Sequence, residues 1–128
     1  MTPFTIVNLL ELENTAADAS SGLEVRFGRG ALESAHLGIS HFRYHPGVRS
    51  SRAHSHREQE EAYLVVSGSG RVRLDDEVRE LRQWDVVRVA PPVVRAFEAG
   101  PDGLEIVAVA SDRPEGGDGV PAEDVWPD

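Results

Sequence analysis

The residues best suited to chemistry are two histidines and a glutamate near the middle of the chain. His54 and His56 are separated by one residue, and Glu61 follows after the polar turn Arg57-Glu58-Gln59-Glu60. Residues two apart on a β-strand project from the same face, with Cα atoms about 7 Å apart, so both imidazoles can approach one ion. A carboxylate at the start of the next strand can add an oxygen ligand. Two histidines and one carboxylate suit a divalent first-row metal.

The composition excludes mechanisms that need cysteine or lysine. The chain has no cysteine, which excludes thiol nucleophiles, thiolate metal ligands and disulfide bonds. All 13 basic residues are arginines, so no lysine is available as a nucleophile or for a Schiff base. These two absences narrow the chemistry more than any single motif does.

The balance of charge bears on the partners of the protein. Against 13 basic side chains stand 22 acidic ones, which gives a net charge of −9. Such a chain repels phosphate backbones and anionic membrane surfaces over a Debye length, so we expect neither a nucleic-acid nor a membrane partner.

No stretch approaches the roughly 18 consecutive apolar residues of a membrane span. Residues 1–12 show no basic leader followed by an apolar run, and we therefore expect a cytoplasmic protein.

The elements that position these residues are predicted to be β-strands. A chain of 128 residues is long enough for one domain with a real core. Short segments rich in Val, Leu, Ile and aromatic residues alternate with Gly, Pro or charged turns, which is typical of an all-β protein. The predicted strands are Leu23–Phe27, Leu37–Tyr44, Arg52–His56, Ala62–Ser67, Arg71–Leu74, Val78–Leu81, Asp85–Val89, Val94–Glu98 and Leu104–Val109. Strands in this number and at this spacing indicate a sandwich or a closed barrel.

The composition divides the chain into three regions. Residues 1–22 form a lead-in segment, in which Asn8–Gly22 is predicted to be a loop or one short helical turn, and residues 23–110 form the β domain. Residues 111–128 are rich in Gly, Pro and acidic residues and are predicted to be a loosely held tail. Trp126 is the exception, because a bulky aromatic side chain near a terminus more often docks on the domain or on a second subunit.

The run from Gly47 to Gly68 resembles the first signature of the cupin superfamily. That signature has a glycine, then His-x-His, four residues, a glutamate, six residues and a glycine, and this chain has one more residue than usual before the first histidine. The resemblance implies an all-β, cupin-type jelly-roll β-barrel. It also implies that His54, His56 and Glu61, rather than Glu60, are the ligands of a divalent metal such as Fe, Mn, Ni or Zn. Many cupins are homodimers, and we expect one here.

The segment Leu81–Ala99 is similar to the second cupin signature only in part. It keeps the turn at Asp85, an apolar strand and a pair of prolines. It departs from the signature with Trp84 for Gly, Ala90 for Pro, Pro92 for Gly, Arg95 for His and Ala99 for Asn. The resemblance as a whole covers about Leu37 to Val109.

The exchange at Arg95 matters most, because the replaced histidine is the fourth metal ligand of the family and a guanidinium has no lone pair to give. Two arrangements are open. In one, a three-ligand metal site keeps open positions and Arg95 clamps a carboxylate of the substrate. In the other, Arg95 occupies the place of the metal and pairs with Glu61.

Three further residues are candidates for binding a substrate. Tyr63 shares strand parity with Glu61, and Phe97 shares it with Arg95, so both are predicted to line the same cavity, although core packing would also account for them. His41 is a candidate fourth ligand or general base if its face of the strand points inward. The alternative for His41 is a strand histidine with satisfied hydrogen bonds.

These observations favour a small barrel whose lumen binds a small, anionic organic molecule. One hypothesis is a metal-dependent enzyme, for which isomerase, lyase or dioxygenase activity would fit. The second is a non-catalytic binding or sensing domain in which Arg95 replaces the metal ligand. A purely structural barrel is the third. A cupin barrel hosts many unrelated activities, so the resemblance does not choose among them.

Overall fold

The fold, seen in a computed structural model that describes residues 3–16, 21–50, 52–123 and 126–127, is built from antiparallel β-strands. The strands are β1 (Leu23–Phe27), β2 (Gly38–Tyr44), β3 (Ala53–His56), β4 (Glu61–Leu74), β5 (Glu77–Arg82), β6 (Val86–Val89), β7 (Arg95–Ala110) and β8 (Gly119–Ala122). A single 3-10 turn at Leu9–Glu11 interrupts the lead-in segment, of which residues 17–20 lie outside the described part. The all-β class is confirmed. Among the described residues there is no helix long and apolar enough to cross a membrane.

Two pairs of predicted strands are each one long strand. The segments predicted at Ala62–Ser67 and Arg71–Leu74 are joined in β4, and those predicted at Val94–Glu98 and Leu104–Val109 are joined in β7. The glycines between them bend the strands instead of ending them, with register shifts at Val65/Ser67 and Gly68/Gly70. Gly68 has a φ of +79°, and a Cβ there would lie 2.0 Å from the carbonyl oxygen of Gly103. Only glycine lets β4 and β7 approach this closely while both strands curve.

The sheet curls because β4 and β7 pair with each other on both sides of this bend. The first half of β4 also pairs with β6 and the second half with β5, while β7 continues the sheet to β2 and then to β1. At its start β7 pairs with β3, where Arg95 stands opposite His54. The topology therefore brings the histidine strand, the start of β4 and the start of β7 to one end of the barrel.

The core follows from the alternation of side chains along these strands. Its buried members are Tyr44, Tyr63, Val65, Val72, Leu81, Val89, Phe97, Ala99, Leu104, Ile106 and Ala108. In β4, Tyr63 and Val65 face the core while the alternating residues Ala62 and Leu64 are less buried, as a strand period of two requires. Full burial of each large apolar side chain contributes about 1.5–3 kcal/mol, so this set supplies most of the driving force that closes the barrel.

The end of the chain is more ordered than its composition indicates. Within the predicted loose tail, Gly119–Ala122 forms β8, which pairs with β3 in the register His56↔Gly119 and Ala53↔Ala122. Trp126 is buried in a second small cluster with Ala53 and Ala96. The tail prediction is therefore wrong for this stretch, because β3 has a free edge that the tail completes. Trp126 docks on the barrel itself, which is one of the two places predicted for it.

Candidate functional site

The two histidines and the glutamate singled out in the sequence come together at the end of the barrel. One ligand atom from each of His54, His56 and Glu61 lies within 4.8 Å of the others. Glu61 Oε1 is 3.2 Å from His56 Nε2 and 3.9 Å from His54 Nε2. The two imidazole rings are nearly perpendicular, at 86°, with centroids 5.0 Å apart. The arrangement can present two nitrogens and one oxygen to a single divalent ion.

Glu61 is the centre of the local charge network. Its Oε1 accepts a hydrogen bond from the hydroxyl of Tyr63, which is itself buried. Burial alone would raise the pKa of Glu61, but the contacts from His54, His56 and Tyr63 lower it further than burial raises it, to well below the usual range. Burial and the neighbouring Glu61 charge raise the pKa of Tyr63, so the phenol keeps its proton. Glu61 is thus an anion, and Tyr63 holds one of its oxygens in place.

Asp118, from the tail, fixes the other side of His56. Its Oδ1 lies 2.8 Å from His56 Nδ1, and its Oδ2 accepts hydrogen bonds from the backbone N–H groups of Glu58, at 2.7 Å, and Gln59, at 2.8 Å. Burial opposes ionisation, but these hydrogen bonds outweigh it and lower the pKa of Asp118 to about 2. Nothing in the sequence distinguishes Asp118 from the other acidic residues of the tail, so it was not predicted as part of the site.

The hydrogen bonds of His56 place its two nitrogens in different roles. An ionised Asp118 accepts only, so Nδ1 carries the proton and Nε2 points at Glu61. The Glu61 carboxylate, 3.2 Å from Nε2, is the main cause of a raised His56 pKa, burial lowers the pKa, and the hydrogen bond to Asp118 raises it again. Nε2 is buried and, among the described residues, makes no hydrogen bond of acceptable geometry. A cation, either a proton or a metal ion, therefore belongs between Nε2 and Glu61.

Arg95 lies beside this group with its side chain fully buried, at 0% exposure. Its Nη2 donates to the carbonyl oxygen of Ala90 at 3.2 Å, whereas Nε and Nη1 have no hydrogen-bond partner in the described part of the chain. Nη1 is 4.0 Å from Glu61 Oε1, at the outer limit of an ion pair. Neither of the two predicted arrangements is reproduced in full. The guanidinium is directed toward the site, but it forms no close hydrogen-bonded pair with Glu61.

The other predicted substrate-binding residues separate into two groups. Tyr63 and Phe97 pack against each other beside the site, with ring centroids 4.8 Å apart, and both belong to the buried core. His41 is elsewhere in the sheet. Its Nε2 is 2.6 Å from Glu105 Oε2, and its Nδ1 is 3.3 Å from Nη1 of Arg26.

His41 therefore has neither nitrogen available for a metal. Arg26 can only donate, so Nδ1 is the acceptor and Nε2 carries the proton that is donated to Glu105. Its register partner in β7 is Val107, whereas the neighbouring Phe42 and Ile106 face the core. His41 thus projects from the opposite face of β2, which matches the alternative of a satisfied strand histidine. Its contacts give no support to a role in substrate binding.

A groove of about 630 Å³ lies on another part of the barrel, away from the histidines. Its lining includes Gly70, Arg71, Leu81, Glu98 and Gly100. Neither imidazole nitrogens nor unpaired buried donors face it. Volume alone therefore does not make this groove the site, and the convergence of ligand-type atoms favours the histidine end.

Comparisons with known proteins agree with this architecture. A cupin protein from Bacteroides fragilis is 21% identical over 98% of this chain and 91% of its own, with a TM-score of 0.68. A sugar phosphate isomerase from the cupin superfamily of Silicibacter pomeroyi is 20% identical over 86% of this chain and 77% of its own, with a TM-score of 0.71. A variant of oxalate decarboxylase from Bacillus subtilis is 21% identical over 92% of this chain and 33% of its own, with a TM-score of 0.73. A search of curated proteins finds no significant match.

At these identities the likeness to solved structures shows the fold alone, and the predicted jelly-roll barrel is confirmed. The family itself is shown by the sequence, because the cupin domain model matches residues 40–109, which is more than half of the chain. The match includes His54, His56, Glu61 and Arg95. The chain therefore belongs to the cupin domain family.

Proposed function

We propose that this cupin binds a small organic anion together with a divalent metal ion. The metal ligands would be His54, His56 and Glu61, and Arg95 would match the charge of the anion. The observation that carries the proposal is the convergence of these three ligand atoms within 4.8 Å beside a buried guanidinium. The identity of the metal, among Fe, Mn, Ni and Zn, is left to experiment.

The residues present fit a metal ion. With its proton on Nδ1, neutral His56 directs a lone pair from Nε2 at Glu61 Oε1, only 3.2 Å away. Two lone pairs facing each other in a buried setting repel unless a cation lies between them. The hydrogen bond from Nδ1 to Asp118 is the support that metal-binding histidines usually have, since it orients the ring and makes the other nitrogen more basic.

The local charges favour an anionic ligand. When the histidines are neutral, the carboxylates of Glu61 and Asp118 outnumber the single positive charge of Arg95 by one. A divalent ion would leave the site with one net positive charge, which an anion would compensate. Arg95 Nε and Nη1, buried and without hydrogen-bond partners among the described residues, are donors suited to a carboxylate or phosphate. The names of two structural relatives also mention anions, a sugar phosphate and oxalate.

Each side chain then has a defined task. The bound ion would supply Lewis acidity or oxygen activation. Tyr63 holds Glu61, Asp118 holds His56, and Arg95 orients the anion. The side chain of His54 is 40% exposed, so this side of the site is the open one and provides the approach for a ligand. Isomerase, lyase and dioxygenase reactions all suit such an arrangement.

A second candidate function is binding of an anion without metal and without catalysis. It is favoured by the 4.0 Å separation of Arg95 Nη1 and Glu61 Oε1. If His56 is protonated on both nitrogens, His56 and Arg95 balance the charges of Glu61 and Asp118, and the site is neutral with no metal. Arg95 would then serve in place of the ion.

Elemental analysis of untagged protein distinguishes the two functions. The proposal predicts near-stoichiometric Fe, Mn, Ni or Zn in the wild-type protein and its loss in a His54→Ala, His56→Ala double variant. A His36→Ala, His45→Ala double variant is the matched control, because these exposed histidines lie outside the site. Absence of metal from the wild-type protein, even after reconstitution with the four ions, would reject the metal-dependent function and favour the second candidate.

We also propose that the protein is a cytoplasmic homodimer. A homodimer would have apolar surface to bury, since the exposed large hydrophobic side chains are Phe4, Ile6, Leu10, Phe27, Leu37, Trp84, Val86 and Val109. Light scattering coupled to gel filtration measures the mass directly. The net charge of −9 supports a cytoplasmic protein without a nucleic-acid partner.

A further inference from the structure

Among the described acidic residues of the C-terminal region, Asp118 is the one whose side chain is hydrogen-bonded to the histidine strand. It lies 62 positions after His56 in the sequence, and its side chain is buried. Its two oxygens accept from three donors, namely His56 Nδ1 and the backbone N–H groups of Glu58 and Gln59. Those two amides belong to the turn between His56 and Glu61. Asp118 therefore holds a metal-ligand candidate and the turn that follows it.

The segment that carries Asp118 is fastened to the barrel at two more places. We call residues 118–122 together with Trp126 the C-terminal strap. The strand β8 in this strap covers the edge of β3, pairing Pro121 with His54 and Gly119 with His56. Farther on, the Trp126 ring contacts two guanidinium groups, with Arg49 Cζ 4.9 Å and Arg71 Cζ 5.3 Å from its centroid.

The two arginines that contact Trp126 are themselves held by an ion pair with one carboxylate. Arg49 and Arg71 both pair with the carboxylate of Glu98, with Arg71 Nη2 2.7 Å from Glu98 Oε1. Cation–π contacts of this kind contribute about 0.5–2 kcal/mol each. The strap is thus held to the barrel both at β8, which Asp118 immediately precedes, and at Trp126.

The geometry points to a specific role: we propose that Asp118 is a positioning residue that keeps the proton of His56 on Nδ1 and the lone pair of Nε2 toward Glu61. The C-terminal strap would then be part of the metal site, although none of its residues touches the ion. This inference rests on the proposed function for its metal readout, but not for its tautomer readout. The tautomer readout compares the hydrogen bond from Nδ1 to Asp118 with the contact between Nε2 and Glu61.

Asp118→Asn tests the proposal because an amide cannot satisfy the same three donors. Its single oxygen is expected to accept the two backbone N–H groups, which leaves the NH₂ group facing His56 Nδ1. His56 would then accept at Nδ1 and carry its proton on Nε2, where a ligand lone pair is needed. We expect a loss of metal affinity of about 10- to 100-fold, as for other changes of residues that support metal-binding histidines. Asp112→Asn is the matched control, since Asp112 is another acid of the same region, is exposed and contacts His36 instead.

The tautomer is read directly from long-range ¹H–¹⁵N spectra of the metal-free proteins at a pH where His56 is neutral. The proposal predicts the Nδ1–H form in the wild type and in Asp112→Asn, and the Nε2–H form in Asp118→Asn. An Nε2–H form in the wild type would overturn it, and this arm needs no variant to fold. An unchanged tautomer and unchanged zinc affinity in a folded Asp118→Asn protein would overturn it as well. If the wild type binds no metal at all, the proposed metal function fails, while the tautomer comparison still decides the role of Asp118.

Discussion

Arg95 Nη1 and Glu61 Oε1 lie 4.0 Å apart, with the arginine side chain fully buried. The separation is too long for a hydrogen bond and short enough for a strong electrostatic effect in a site of low dielectric constant. Burying a guanidinium whose Nε and Nη1 have no hydrogen-bond partner among the described residues costs free energy, which an anion bound from solution would offset.

Replacement of Arg95 by methionine keeps much of the side-chain volume and removes the charge. We expect oxalate to bind the zinc-loaded variant roughly 10- to 100-fold more weakly, because a charge-assisted hydrogen bond contributes about 1.5–3 kcal/mol. The affinity for zinc should rise, because a positive charge next to the ion is removed. Isothermal titration calorimetry measures both. Arg88→Met, at an exposed arginine paired with Glu60, is the control and should change neither affinity.

The hydroxyl of Tyr63 is expected to stabilise the metal-free protein through Glu61. Tyr63→Phe removes a donor to a buried carboxylate, and we expect a loss of about 1.5–3 kcal/mol in the free energy of unfolding by urea. Tyr44→Phe is a matched control, since Tyr44 is equally a core tyrosine but its hydroxyl lies 3.3 Å from the neutral hydroxyl of Ser50. Its loss should be smaller. An equal loss in the two variants would show that Tyr63 acts by packing and not through Glu61.

The stability of the protein is expected to fall in acid partly because of Glu98. Burial raises the pKa of Glu98, but the hydrogen bonds from Arg49 and Arg71 lower it further, so the pKa in the folded state lies below the ordinary value of 4.5. The stabilisation is therefore complete above pH 4.5 and is lost as the pH falls through the folded-state pKa. Glu98→Gln should be less stable than wild type at pH 7, and the difference should shrink in acid. Urea unfolding between pH 7 and pH 3 measures it.

The control for this pH dependence is Glu77→Gln, at an exposed ion pair with Arg79. Exposed pairs contribute little, so the stability of this variant should follow the wild type at every pH. A difference between wild type and Glu98→Gln that stays constant as the pH falls would contradict the assignment to the carboxylate charge.

Trp126 is expected to stabilise the C-terminal strap and, through it, the histidine strand. Trp126→Ala removes a buried aromatic side chain, and we expect a loss of up to about 3–5 kcal/mol together with faster amide exchange in β3 and β8. Trp84→Ala is the matched control because the other tryptophan of the chain is 67% exposed. It should cost less than about 0.5 kcal/mol. If amide exchange in β3 were unchanged in Trp126→Ala, Trp126 would not stabilise the histidine strand.

The local part of the site could be predicted from the sequence, and the distant part could not. The spacing of His54, His56 and Glu61 depends only on strand geometry and one short turn, so the sequence pattern was sufficient. Asp118 reaches His56 across 62 positions of sequence, and its only signal was its acidity. Period-two alternation also cannot tell which face of β2 points inward. The place of His41 was therefore open until the pairing of β2 with β7 was known.

The fold shows the same division between local and non-local information. The strands were predicted from β-branched and aromatic residues, but the continuity of β4 and β7 was not. Gly68 and Gly70 have the composition of a turn, and they bend β4 instead because β7 follows the same curve at close distance. The strand β8 was missed for a related reason, since a short segment rich in Gly and Pro becomes a strand only when an open edge such as that of β3 is available.

The proposed three-ligand metal site beside Arg95 can be located by anomalous diffraction from crystals of the zinc-loaded protein. We expect a single anomalous peak about 2.0–2.2 Å from one nitrogen of His54, Nε2 of His56 and an oxygen of Glu61, with the Arg95 guanidinium outside bonding distance of the ion. No peak at these residues, with the guanidinium hydrogen-bonded to Glu61 in its place, would contradict it.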